Sequence, residues 1–273
     1  MDQSARARAD LAIADFWGVR ASQLASAQSL QGGTRSAVTG GQHLNAVRDL
    51  LAEEFRIAGF PATSVHASGR AKSLPGYFRP TKNWDLAVTT GVDIVALIEL
   101  KSQVGSFGNN ANNRAEESLG NPVDLDAAFG HGMLGPRRPW VGYVYVIEDC
   151  PATTRPVRET KTFYPQDQTF DQASYLDRFA ILGERVVEQG TYDAAWIIAT
   201  TSPSSPTGAT WRDASPAVGY DRFIQSVARL RSGQATPGPH VVLTNPPYST
   251  GTAPQAPPPS AQLPPALRPQ GLF

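Results

Sequence analysis

The stretch from Asn83 to Gln103 constrains the fold of this chain most. It reads Asn83-Trp84-Asp85, a short apolar segment, Thr89-Thr90-Gly91, and then Ile94-Val95-Ala96-Leu97-Ile98-Glu99-Leu100-Lys101-Ser102-Gln103. Residues 94–98 are apolar throughout and rich in β-branched side chains, as in a strand buried on both faces. Side chains alternate along a strand, so Glu99 and Lys101 share one face while Leu100 points into the core. Ending such a strand on Glu and Lys is costly unless both meet a counter-charge, a metal or water. The Thr-Thr-Gly turn predicts a hairpin that folds the Asp85 segment back beside Glu99. Two carboxylates and a lysine then converge at one sheet end.

That convergence suits phosphodiester hydrolysis. Asp85 and Glu99 supply two hard oxygen ligands for Mg²⁺, with the Leu100 backbone carbonyl as a third. The metal polarises a phosphoryl group and acidifies a water, and Lys101 orients that water and offsets charge on phosphorus. Gln103, on the same face, is an accessory candidate for holding the water or a neighbouring phosphate. This is the Asp…Glu-x-Lys pattern of the restriction-endonuclease-like nucleases. Glu-x-Lys alone is a common strand end facing solvent. The acid fourteen positions upstream and the apolar strand between are what make the pattern informative.

Flanking segments narrow it. Residues 74–85 (Leu-Pro-Gly-Tyr-Phe-Arg-Pro-Thr-Lys-Asn-Trp-Asp), residues 98–114 with their Asn-rich run after Lys101, and Glu116-Glu117-Ser118-Leu119-Gly120-Asn121 resemble the XhoI-like type II restriction endonucleases. The likeness covers most of residues 40–245. It implies a Mg²⁺-dependent homodimer cutting double-stranded DNA within a six-base-pair palindrome, CTCGAG in that family. It also implies a cognate DNA methyltransferase as functional counterpart in a restriction-modification system.

Other residues extend the candidate site. Leu44, Val47, Leu51, Phe55 and Ala58 form one helical face that ends at Gly59. Glu54 borders that face, either as a third carboxylate of the metal site or as a solvated helix-edge acid. The loop before Asp85 carries Arg79 and Lys82 beside Tyr77 and Phe78, a mix suited to tracking a phosphate backbone. Residues 104–113 have almost no apolar anchors and are expected as a surface loop ahead of a helix beginning near Asn113. Asn109, Asn110, Asn112 and Asn113, with Arg114, are DNA-binding candidates, because Asn can pair with an adenine edge in the major groove. Their other reading is a polar loop capping that helix.

The remainder predicts an α/β fold: a restriction-endonuclease-like core whose central mixed sheet of about five strands is flanked by helices. Residues 1–40 read as an N-terminal segment of one or two helices, 41–245 as the catalytic and DNA-binding domain, and 246–273 as a tail. Strands are expected over 141–147 and 194–200, helices over 172–189 and 220–231, and an edge strand near 241–243. Nine of the last 28 residues are proline, a polyproline or disordered composition. Lys+Arg and Asp+Glu are both 24, which disfavours a purely charge-driven nucleic-acid binder and leaves room for a local basic cleft. The single cysteine, Cys150, excludes an internal disulfide framework. No membrane-spanning run or signal sequence is evident, so a cytoplasmic protein is expected.

Two other functions fit parts of the chain. A repair or recombination nuclease would share the catalytic residues and cut by structure or damage. Asn245-Pro246-Pro247-Tyr248 matches the catalytic tetrapeptide of adenine-N6 methyltransferases, but the glycine-rich S-adenosylmethionine loop such enzymes need is missing, and the tetrapeptide opens a proline-rich tail.

Overall fold

Strands β5 (Asp93–Gln103), β6 (Trp140–Glu148) and β7 (Ala194–Thr200) run side by side through the centre of the computed structural model. The structure describes residues 3–29, 41–158, 162–205 and 209–233. The expected strand over 241–243, the Asn245–Tyr248 tetrapeptide and the proline-rich tail lie outside these residues.

The three strands are mutually parallel, with Ile98 opposite Gly142 and Gly142 opposite Ala194. Parallel neighbours need crossovers, and helices supply them. Helix α3 (Phe107–Gly130) links β5 to β6, and the short helix α4 (Pro151–Thr154) and helix α5 (Tyr175–Glu188) lie between β6 and β7. On the other side of β5, β4 (Leu86–Thr90) pairs antiparallel, with Leu86 opposite Ile98 and Thr90 opposite Asp93. The expected hairpin is therefore present. Edge strands β1 (Val65–His66) and β8 (Trp211–Asp213) complete a mixed sheet in the order β1-β4-β5-β6-β7-β8. The sheet thus has six described strands, one more than the pattern reading. Its two edges are two and three residues long, too short for alternation to show.

Alternation along the central strands divides the core in two. Ala96, Ile98 and Leu100 of β5, Val144 of β6 and Trp196 of β7 pack beneath α1 (Gln3–Ser29), α2 (Asn45–Ile57) and α6 (Tyr220–Arg231). Leu97, Tyr143, Tyr145 and Ile197 point the other way, against α3 and α5. Both faces are covered, which is why these strands read as continuous apolar runs. Among the described residues of the N-terminal segment, 3–29 form one helix, whose Ala9, Ile13, Phe16 and Trp17 enter the same core as Leu51 and Phe55 of α2.

The larger correction concerns residues 104–113. Gly105 (φ 71°) and Ser106 (φ 49°) both take left-handed backbone, turning the chain abruptly out of β5, and α3 starts at Phe107. The asparagines therefore occupy the first two turns of a helix and not a loop. A short hairpin, β2 (Ser73–Pro75) with β3 (Thr81–Asn83), stands apart from the main sheet and holds the 76–80 loop near the start of α3's second half.

Candidate active site

Asp85 stands just before β4, and its backbone N–H donates to the Ile98 carbonyl at 3.1 Å. Its Oδ2 accepts the Leu100 N–H at 2.7 Å, fixing the carboxylate against the neighbouring strand. Glu99 is fully buried. Its Oε1 lies 2.8 Å from the Lys101 ammonium and accepts from the Asn121 amide at 3.0 Å. Its Oε2 accepts from the Lys82 ammonium at 2.7 Å. A buried carboxylate is tolerable only with such compensation. Asp85, Glu99 and Lys101 line one cleft of about 470 Å³ with Lys82, Ser102, Gln103, Asn110, Arg114, Arg20 and His43.

Charge within the cleft is not neutral in its effects. Burial and the adjacent Glu99 push the Asp85 carboxyl above the usual carboxylate range, against the Leu100 hydrogen bond and the two lysines. Burial opposes the Lys101 charge, but Glu99 outweighs it together with Glu117 and Asp85, and the ammonium's pKa is raised. Lys101 is thus held protonated. Burial lowers His43 to about 4, helped by Arg20, so its ring is neutral near pH 7, with Nε2 2.8 Å from the Ser102 hydroxyl.

Several candidate residues hold different posts from those expected. Glu54 does not reach the cleft: it is buried on α2, where its Oε1 takes two hydrogen bonds from Arg8 of α1 at 2.7 and 2.9 Å. That ion pair ties the first two helices together. Among the described residues no cluster of three or more His, Cys, Asp or Glu is placed to hold a metal. The carboxylate donors of the cleft are Asp85 and Glu99. Gln103 lines the cleft, but its amide is spoken for. Its Nε2 donates to the Ser106 and Phe107 carbonyls at 3.2 and 3.3 Å, and its Oε1 accepts from Tyr145 at 2.7 Å. It braces the left-handed turn into α3. Asn110 does the same from the helix, donating to the Ser106 carbonyl at 3.2 Å.

Arg79 is likewise engaged, with Asp124 at 2.7 Å and Asn121 at 2.9 Å. Arg114 pairs with Glu117 at 2.6 Å, and its Nε is left without a partner among the described residues. Asn112 and Asn113 are exposed on α3, and Asn109 lies in its first turn. Two cleft residues escaped the sequence reading. Arg20 sits on α1, and its buried Nε has no hydrogen-bond partner among the described residues. His43 sits on the one-turn Gln42–Leu44 helix. No local spacing marks either one, because α1 and the Gln42–Leu44 turn reach the cleft only through tertiary packing.

A mixed sheet covered by helices on both faces, with an acid before one strand and Glu-x-Lys on the next, defines the restriction-endonuclease-like class. Comparison with known proteins makes this specific. The model of the restriction endonuclease XhoI family matches residues 22–211, and the chain belongs to that family. Its members are enzymes of the type II restriction class, hydrolases of DNA. The chain is 41% identical over 186 residues to the type II restriction enzyme XhoI of Xanthomonas vasicola, covering 67% of this chain and 75% of that one. It is 38% identical over 173 residues to BstVI of Geobacillus stearothermophilus, covering 61% and 77%. AbrI of Azospirillum brasilense is 37% identical over 155 residues, covering 55% and 69%. No solved structure matches the chain. Among the described residues no helix is long and apolar enough to cross a membrane.

Proposed function

We propose that the chain is a Mg²⁺-dependent, site-specific deoxyribonuclease that hydrolyses both strands of duplex DNA within CTCGAG. It acts as a homodimer, beside a methyltransferase that protects the same sequence. The observation that carries this is the meeting of Asp85, Glu99 and Lys101 in one cleft at the ends of adjacent strands. The target sequence rests on the family resemblance, and the dimer on matching a two-fold protein to a palindrome.

The donor set fits a hard divalent ion: two carboxylates, with the Leu100 carbonyl as a further oxygen ligand. Asp85 carries a raised pKa because it is buried and a second carboxylate stands beside it. A dication held by Asp85 and Glu99 would offset the repulsion between the two carboxylates. Bound there, Mg²⁺ supplies Lewis-acid stabilisation of the phosphoryl oxygens. The chain's own residues do the rest. Lys101, protonated and held by Glu99, places an attacking water and balances charge at phosphorus. Lys82 brings a second ammonium to the same carboxylate, and Arg20 and Arg114 take neighbouring phosphates of the strand.

A plasmid with one CTCGAG site is the test, incubated with Mg²⁺ or EDTA beside a plasmid lacking the site. A single linear product, formed only with Mg²⁺ and only from the first plasmid, is expected. Discrete cutting elsewhere removes the target and keeps the enzyme class. Smeared digestion of both plasmids removes site specificity.

A further inference from the structure

Behind Glu99 lies a chain of hydrogen bonds that none of the catalytic assignments uses. Asn121, on the inner face of α3, donates Nδ2 to Glu99 Oε1 at 3.0 Å. Its Oδ1 accepts from the Arg79 guanidinium at 2.9 Å. Arg79 Nε donates in turn to Asp124 Oδ2 at 2.7 Å, and Asp124 Oδ1 accepts the backbone N–H groups of Tyr77 and Phe78 at 2.8 Å each. Asn121 and Asp124 are one helical turn apart and nearly inaccessible, at 8% and 5% exposure. Each is an i, i+3 neighbour on one face of α3.

The loop is shaped for this contact. A Cβ on Gly76 would come within 2.6 Å of Asp124 Oδ2 and 2.7 Å of the Arg79 carbonyl, so a side chain there would push the carboxylate out. Asp124 is held below the usual carboxylate range by the Phe78 and Tyr77 amides and Arg79, which outweigh its burial, and so it stays ionised. The amide of Asn121 has only one orientation that satisfies both ends: oxygen to the Arg79 donor, nitrogen to the Glu99 acceptor. Arg79 therefore fixes the Asn121 rotamer, and Asn121 fixes Glu99.

We infer that Asn121 is a positioning residue for Glu99, and that Arg79 and Asp124 act on the reaction through it and not by contacting DNA phosphate. This rests on the proposed role of Glu99 as a metal ligand. Residues that orient a ligating carboxylate typically change metal affinity or activity by about 10–100-fold when removed. The same relay joins Glu99 to the Tyr77-Phe78 tip, whose rings are 46% and 70% exposed. The loop that carries those rings is thereby in fixed register with the metal site.

The test uses the full chain without DNA and Mn²⁺ as probe, its bound fraction read by EPR, with melting curves as a check on folding. Glu99→Gln serves as reference and is expected to weaken Mn²⁺ binding. Asn121→Ala is expected to weaken it about 10–100-fold. Arg79→Met and Arg79→Lys both weaken it in the same direction, because lysine keeps the charge but not the two-partner fork. Added to Asn121→Ala, Arg79→Met changes nothing more, since the two act in series. DNA binding in EDTA should keep its salt dependence in the Arg79 variants. If Asn121→Ala fails to fold, the partly exposed Arg79 carries the test alone. Unchanged Mn²⁺ affinity in folded Arg79 variants overturns the relay. A salt slope lower by about 0.9 in Arg79→Met, with Mn²⁺ affinity unchanged, assigns Arg79 to a phosphate instead. If Glu99→Gln itself leaves Mn²⁺ binding intact, the metal role of Glu99 has failed, which is a separate result.

Discussion

At the scale of single residues, the cleft holds its charges by pairing each with something that limits its freedom. Glu99 has two ammonium groups and an amide, Asp85 a backbone N–H, and Lys101 the carboxylate that keeps it protonated. Arg20 is the exception. Burial lowers its pKa, opposed by Glu148, and its Nε has no partner among the described residues. It also precedes the segment matched by the family model, which begins at residue 22. Under the proposed function, such a guanidinium is available to a phosphate of the bound strand. Arg20→Ala is expected to lower the slope of log binding constant against log salt by about 0.9, measured on duplex DNA in EDTA. An unchanged slope would leave Arg20 as a structural residue of α1.

At the scale of elements, the strands were legible and the turn into α3 was not. Residues 94–98, 141–147 and 194–200 are unbroken apolar runs because both faces of the central sheet are covered, and each is a strand in the structure. The face shared by Glu99 and Lys101 followed from strand periodicity alone. Residues 104–113 misled because their helix begins where there is almost no apolar stripe to detect. It is started by two left-handed residues and braced by Gln103 and Asn110 side chains, contacts that exist only after the chain has turned. Glu54 misled for a related reason: its partner Arg8 lies 46 positions away. The central strand also sets a strict volume limit. A Cβ on Gly142 of β6 would stand 2.7 Å from the Trp140 ring and 2.9 Å from Phe223. Overpacking of this kind costs about 1–3 kcal/mol. Gly142→Ala should lower the free energy of unfolding by that amount in a urea titration, with an unchanged m-value.

At the scale of the whole molecule, the site depends on parts far apart in sequence. α1 brings Arg20 to the cleft and, through Arg8, the counter-charge that Glu54 needs within the core. The β2–β3 hairpin brings Lys82, and α3 brings Asn110, Arg114 and Asn121. Arg20, Lys82, Asn110, Arg114 and Asn121 thus gather at the sheet end that carries Asp85, Glu99 and Lys101. The most direct measurement of that account pairs cleavage with binding in one preparation of Lys101→Ala. Its rate of cutting a CTCGAG plasmid in Mg²⁺ and its affinity for the same duplex in EDTA are each compared with the unmodified chain. The account predicts a rate lower by at least about 10²-fold, as for loss of a group acting on the reacting phosphate, with affinity changed less than tenfold. Undiminished cutting by a folded Lys101→Ala protein would contradict it and place the chemistry elsewhere in the molecule.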